Sequence, residues 1–160
     1  MNRLKGDHFE RIDFRGGTLF RANKSRFPAL RGLAAQKLLL KPGATREPHT
    51  HPNAELLGYC ISGRARVGIV GPGAQRQLLE VNAGDIAFVP RGYVHWVENV
   101  GNDALEFLIV LSHEQPETIE LSETLIGVPN ETLESVLTIP MDVFKRLPER
   151  AVTISDESRR

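Results

Sequence analysis

The sequence predicts an all-β domain, an antiparallel sandwich or barrel followed by a few short helices. Three observations carry this. From Leu33 to Leu111, short apolar runs return at roughly ten-residue spacing, each ended by a Gly, Pro, Asn or Asp turn. Within them apolar and polar residues alternate, as Ala65, Val67 and Ile69 do against Arg64, Arg66 and Gly68, which is the period of a half-buried strand. Beyond residue 121 the period changes, and Leu133, Val136 and Leu137 recur at helical spacing.

The elements follow in order. Residues 1–33 are mixed, with Gly16-Gly17 and Pro28 as turn signals; Phe14, Leu19, Phe20, Phe27 and Leu30 suit an N-terminal arm packed on the outside of the barrel. Residues 34–112 form the barrel core. Leu38-Leu39-Leu40 ends at Pro42-Gly43, the run from Leu56 at Ser62-Gly63, and the run from Leu78 at Asn82-Ala83-Gly84. Ile86, Phe88, Trp96 and the segment 105–111 supply the later strands, broken by Pro90-Arg91-Gly92 and Gly101-Asn102-Asp103. Residues 113–150 give a lid-like loop and helices of the same domain: Asn130 is a suitable N-cap, Pro140 can open a helix over 141–147, and Pro148 ends it. The tail, 151–160, is expected to fray.

At 160 residues the chain makes one domain with room for a single core. Lys plus Arg and Asp plus Glu number 20 each and no basic run occurs, which argues against nucleic acid as partner. Cys60 is the single cysteine, so no internal disulfide forms. The start is charged rather than apolar, and no run reaches the ~18–20 residues of a membrane span, so a soluble cytoplasmic protein is expected.

His49-Thr50-His51 and His95 are the residues that point to chemistry. Two histidines at i and i+2 on a strand face the same side. A third from another strand completes a ring of imidazoles for a divalent transition metal. The surrounding spacing reads Gly43, five residues, His49, one residue, His51, three residues, Glu55, then Gly63; the second segment reads Gly84, five residues, Pro90, one residue, Gly92, two residues, His95, three residues, Asn99. His8 and His113 fall outside both segments and are read as surface residues. By alternation Trp96 faces away from His95, Tyr93 suits the pocket mouth, and Cys60 suits the barrel interior as an inert thiol.

These two segments resemble the two motifs of the cupin superfamily. The resemblance implies a double-stranded β-helix, or jelly-roll barrel, with short C-terminal helices. It also implies a metal held by His49, His51, His95 and a glutamate. Glu55 stands at the right distance from His51 but one residue too far from Gly63. Either Glu55 ligates and a bulge near Gly58 absorbs the extra residue, or Leu56 faces the metal and three histidines hold it. Open positions on such a set favour Mn²⁺ or Fe²⁺ over Zn²⁺.

The stretches 46–54, 59–67 and 83–99, with Ile119-Glu120-Leu121-Ser122 and Leu147-Pro148 in the tail, are similar to oxalate decarboxylase and its two-cupin relatives over about residues 10–155. That similarity implies a small carboxylate as substrate or ligand, with Arg46 as its anchor, although strand alternation alone would put Arg46 on the face opposite His49. It also implies a lid glutamate for proton transfer. That position holds Gln115 here, flanked by Glu114 and Glu117, the two carboxylates able to substitute for it. Three functions remain open: an oxalate decarboxylase- or oxidase-like enzyme, a three-histidine Fe²⁺ dioxygenase for another small ligand, and a non-catalytic metal or carboxylate binder. Exposed sandwich edges predict a homodimer or larger homo-oligomer.

Overall fold

The structure is a computed structural model in which residues 3–156 are described. Twelve strands and three helices follow one another: β1 (Glu10–Phe14), β2 (Gly17–Ala22), β3 (Ala34–Leu40), β4 (Thr45–Thr50), β5 (Leu56–Ser62), β6 (Arg64–Val70), β7 (Arg76–Asn82), β8 (Ile86–Val89), β9 (Val94–Asn99), β10 (Leu105–Leu111), β11 (Ile119–Glu120), α1 (Leu121–Gly127), α2 (Asn130–Leu137), α3 (Met141–Phe144) and β12 (Ile154–Ser155). Every pairing is antiparallel. One sheet runs β1-β2-β3-β10-β5-β8, the other β11-β4-β9-β6-β7, with β12 also on β4.

Alternation places the core between the sheets. Leu38 and Leu40 of β3, Leu56 and Cys60 of β5, Val67 and Ile69 of β6, and Phe107, Ile109 and Leu111 of β10 all face inward and are buried. Gly63, at φ +87°, lets β5 turn directly into β6. On the outer face of the second sheet the Trp96 indole lies across Gly68, where any Cβ would collide with the ring, and its Nε1 donates to Glu98 at 2.8 Å. Among the described residues no helix is long and apolar enough to cross a membrane.

Four expectations change. The N-terminal arm does not lie outside the barrel: β2 pairs β3 along its whole length, from Gly17–Leu40 to Ala22–Ala35, and Leu19 is in the core. Extending the sheet buries β2 on both backbone edges, which an external arm would not. Asn130 is inside α2 rather than its cap, which is Pro129. The helix expected over 141–147 ends at Phe144. The tail is held as far as it is described, since Ile154 pairs Arg46 and is buried; residues 157–160 lie outside the described residues. Of the helices, α1 packs on β4 and β11, whereas α2 and α3 pack on each other, each burying one apolar residue, Leu133 and Phe144.

Candidate metal centre

The centre is built on β4 and β9. His49 pairs directly with His95, and Arg46 pairs with Val97, so β4 carries three steps against two on β9. The extra residue is a β-bulge at Glu47-Pro48, where Pro48 has no amide to offer the ladder. The bulge resets the alternation. Arg46, Glu47, His49 and His51 are all buried, and Arg46 shares the inner side with His49, against simple period-two counting.

The three imidazoles converge. Their ring centroids are 4.1 Å apart for His49–His95, 5.1 Å for His49–His51 and 5.4 Å for His51–His95, and one nitrogen of each lies within 4.8 Å of the others. Each Nδ1 meets a backbone carbonyl: His49 that of Glu47 at 2.8 Å, His51 that of Glu117 at 2.7 Å, and His95 that of Tyr93 at 3.2 Å. A carbonyl only accepts, so Nδ1 carries the proton and Nε2 presents its lone pair. The Nε2 atoms of His51 and His95 are buried with no hydrogen-bond partner. Lone pairs facing one another without a donor lack the partner that buried polar atoms normally have, and a cation supplies it.

Electrostatics favour the same state. Burial, then the Arg46 charge and the neighbouring rings, holds His49 well below the usual histidine range. Burial also lowers His51, and burial with His51 beside it pushes His95 down to about 3. All three rings are therefore neutral, which is the ligating form.

Glu55 does not join them. β5 starts at Leu56 and alternates regularly against β8, so Leu56, Gly58 and Cys60 face inward while Glu55 is exposed, its backbone tied to Ser112 on both sides. The extra residue is absorbed at Ile61, where β5 slips against β10 between the Phe107–Cys60 and Glu106–Ser62 pairs, too late to turn Glu55 inward. Glu55, expected with the histidines, therefore stands outside the cluster, which comprises His49, His51 and His95, and Leu56 lines the chamber beside them. That chamber is about 30 Å³ and otherwise apolar apart from Gln36 and Arg46; Val89, Val97, Phe107 and Ile109 also line it.

Arg46 already has a partner. Its two terminal nitrogens donate to the two carboxylate oxygens of Glu120 at 2.6 and 2.7 Å, and one also to the Thr153 carbonyl at 3.0 Å. Burial pushes the Glu120 carboxyl up while Arg46 pulls it down. The candidate lid carboxylates lie elsewhere. Glu114 binds Lys24 Nζ at 2.5 Å and the Gly32 amide at 3.2 Å, and Glu117 is exposed, reaching the centre only through its backbone carbonyl. Gln115 donates to Ser25 at 2.6 Å. Outside the trio, His8 and His113 are half-buried; Cys60 is fully buried and Tyr93 partly so.

Sequence reasoning missed Glu120, Glu47 and Gln36. Glu47 accepts from the Ser122 amide and hydroxyl at 2.9 Å each and from the Thr153 amide at 2.5 Å, fastening the bulge to α1 and the tail. Nothing local marked it. Gln36 left a trace: it falls on the same alternating row as Leu38 and Leu40.

Comparison with known proteins follows the same lines. The Cupin family model matches residues 4–140. The oxalate decarboxylase OxdC of Bacillus subtilis (strain 168) is 30% identical over 133 residues, which are 83% of this chain and 34% of that protein. An oxalate decarboxylase of Arthroderma benhamiae is 32% identical over 133 residues, 82% of this chain and 31% of that one. A solved structure of the Bacillus subtilis oxalate decarboxylase at pH 4.6 superposes with a TM-score of 0.89 at 28% identity, covering 93% of this chain and 39% of that one. The chain thus spans about a third of the length of these relatives.

Proposed function

This chain belongs to the cupin family, and on that premise we propose that it is a metal-dependent enzyme for a small carboxylate, with one divalent ion held by His49, His51 and His95. The observation that carries the reading is the inward convergence of three imidazoles whose outer nitrogens are each engaged by a carbonyl. Three neutral nitrogens with further positions open suit Mn²⁺ or Fe²⁺ better than a closed structural Zn²⁺ site. An ion there would supply Lewis acidity and one-electron redox chemistry.

The chain's own residues set the conditions. The carbonyls of Glu47, Glu117 and Tyr93 fix the ring tautomers and aim them. Leu56, Val89, Val97, Phe107 and Ile109 exclude bulk water, strengthening any charge interaction inside. Arg46 borders the chamber with Glu120 bound to it, so it contributes positive field and a wall; a direct clamp on substrate would require that pair to open. That these relatives are oxalate decarboxylases supports a small carboxylate as substrate.

The carboxylates favour one branch of that chemistry. Decarboxylation needs a proton donor at the carbon left behind. Glu114 is bound to Lys24, and Glu117 is exposed. This arrangement favours oxidative turnover, or binding without turnover, over decarboxylation. The test is oxalate given under air to protein loaded with Mn²⁺ or Fe²⁺. Peroxide with CO₂ is expected; formate would instead identify decarboxylation. A ligand-dependent rise in thermal stability without product identifies the binding reading, and failure to retain any metal ends all of them.

The exposed Leu57, Tyr59, Ile86 and Phe88, on adjacent strands of the first sheet's outer face, support that face as the contact of the proposed homodimer. An apolar group of this kind marks an interaction site. Light scattering should give twice the 17.8 kDa chain mass or more.

A further inference from the structure

The inward row of β3 reads Ala34, Gln36, Leu38 and Leu40, so one amide stands in an otherwise apolar row. Gln36 is 8% exposed, and its side chain makes no hydrogen bond among the described residues. Its amide is not among the polar atoms sealed off without a partner, so it faces open space rather than packed core.

What Gln36 faces gives it a use. It borders the small chamber together with His49 and His95. It equally borders a second chamber of about 180 Å³, whose walls include Phe14, Leu19, Arg21, Arg46 and Thr118. A third hollow of about 220 Å³, bounded by Asn23 and Pro116 among others, reaches it from the rim of the barrel. Gln36 is common to the walls of all three.

Arg21 lies directly across the β2–β3 ladder from Gln36 and borders both outer hollows. One terminal nitrogen is 3.4 Å from Glu10, but its Nε is buried with no partner. Arg46, the other cation nearby, has its terminal nitrogens committed to Glu120. Thr118 turns its hydroxyl to His51 Nδ1 at 3.3 Å and Glu120 is held by Arg46, so the Arg21 Nε–H and the Gln36 amide are polar groups of this chamber that remain without a partner. Ile12, Phe14 and Leu19 form the apolar part of its wall; the remainder is polar, with Thr118, Thr153 and the Arg46–Glu120 pair.

We propose that Arg21 and Gln36 bind one carboxylate of a dicarboxylic acid longer than oxalate, whose apolar middle lies against Leu19 and whose other end reaches the histidines. The inner end rests on the metal reading of the histidine centre; the outer contact does not. The sizes favour such a ligand. About 30 Å³ beside the histidines holds only a very small group, and the larger space lies next to it across a shared wall of Leu19, Gln36 and Arg46.

The test is calorimetric titration of the full-length, metal-loaded protein with formate, oxalate, malonate, succinate and glutarate, with metal content measured on the same samples. The best longer diacid should bind at least tenfold more tightly than oxalate. Gln36→Leu and Arg21→Gln should each weaken that diacid at least tenfold, and Arg21→Gln, which lies outside the histidine chamber, should leave formate affinity and metal content unchanged. Gln36→Leu continues the apolar row of Leu38 and Leu40, so its thermal stability should equal or exceed that of the wild type, separating lost binding from lost folding. The proposal is overturned if no diacid outbinds oxalate, or if both variants bind the diacid as the wild type does. If the wild type retains no metal, the metal reading fails by itself. The metal-free protein then decides the outer contact: diacid binding that both substitutions weaken tenfold supports it, and its absence overturns it.

Discussion

The metal-free protein should lose stability on mild acidification because of its three buried histidines. In the unfolded chain each titrates near its ordinary value of about 6.5. In the fold, His49 is well below that, His51 is lowered, and His95 titrates at about 3. With the folded value depressed, the unfolded chain takes up protons first. The stabilising contribution is therefore complete above about pH 6.5 and is lost as the pH falls. One such histidine loses about 1.4 kcal/mol between pH 7.5 and 5.5, and three lose up to roughly 4 kcal/mol. Against a usual total of about 5–15 kcal/mol that is a large fraction. Glu120 works the other way. Its folded value is raised, so its contribution is present below the ordinary carboxylate value and lost as pH rises through the folded one. A comparison of wild type with His95→Gln at each pH removes that common term. Guanidinium unfolding at pH 7.5, 6.5 and 5.5 in chelator measures both. The variant should lose about a third less stability over this range, and saturating metal should lift the wild type at every pH. A wild-type stability that does not fall with acidification, or a His95→Gln slope equal to that of the wild type, would refute the buried, neutral state of these rings.

Three further outcomes are expected. His51→Ala should lower metal affinity by more than about 100-fold in equilibrium dialysis, since a removed ligand costs more than a removed supporting hydrogen bond. Glu55→Gln should leave metal stoichiometry and affinity unchanged in the same assay, because the side chain is on the solvent face of the chain beside Leu56; a tenfold loss would return it to the centre. Glu120→Gln should destabilise the protein by about 3–5 kcal/mol in thermal or chemical unfolding, because Arg46 would be left as a buried charge without its partner, and Arg46→Met with Glu120→Gln together should cost less than that single change.

Much of the architecture was legible because it depends on period and punctuation. The alternation of β6 survives in the structure, and α2 forms where helical spacing was read, although of 133, 136 and 137 only Leu133 is buried. The converging histidines were legible for the same reason, since His49 and His51 differ by two and their partner sits in a strand of its own. Where the sequence misled, the cause was an extra residue. Ile61 absorbs one in β5 well downstream of the histidines, so Glu55 keeps the right distance from His51 and still faces away. No spacing rule shows on which strand, or how far along it, a bulge will fall, because that is settled by pairing with β10 and β8.

The β4 bulge shows how one such irregularity can organise a site. Without it, Arg46 would point away from the chamber and Glu47 toward it. With it, Arg46 turns inward to meet Glu120, and Glu47 fastens Ser122 and Thr153. Glu120 and Ser122 flank the junction of β11 and α1, while β12, next to Thr153, pairs with the same stretch of β4. Segments more than 70 residues apart in sequence are thus brought to the strand that carries the histidines. The His51 ring is itself aimed by the Glu117 carbonyl, two residues before β11. The C-terminal segment is therefore part of the centre's support as well as its cover. Loosening it should disturb the orientation of His51 before it disturbs His49 or His95, whose carbonyl partners, Glu47 and Tyr93, lie two residues away on their own chain segments.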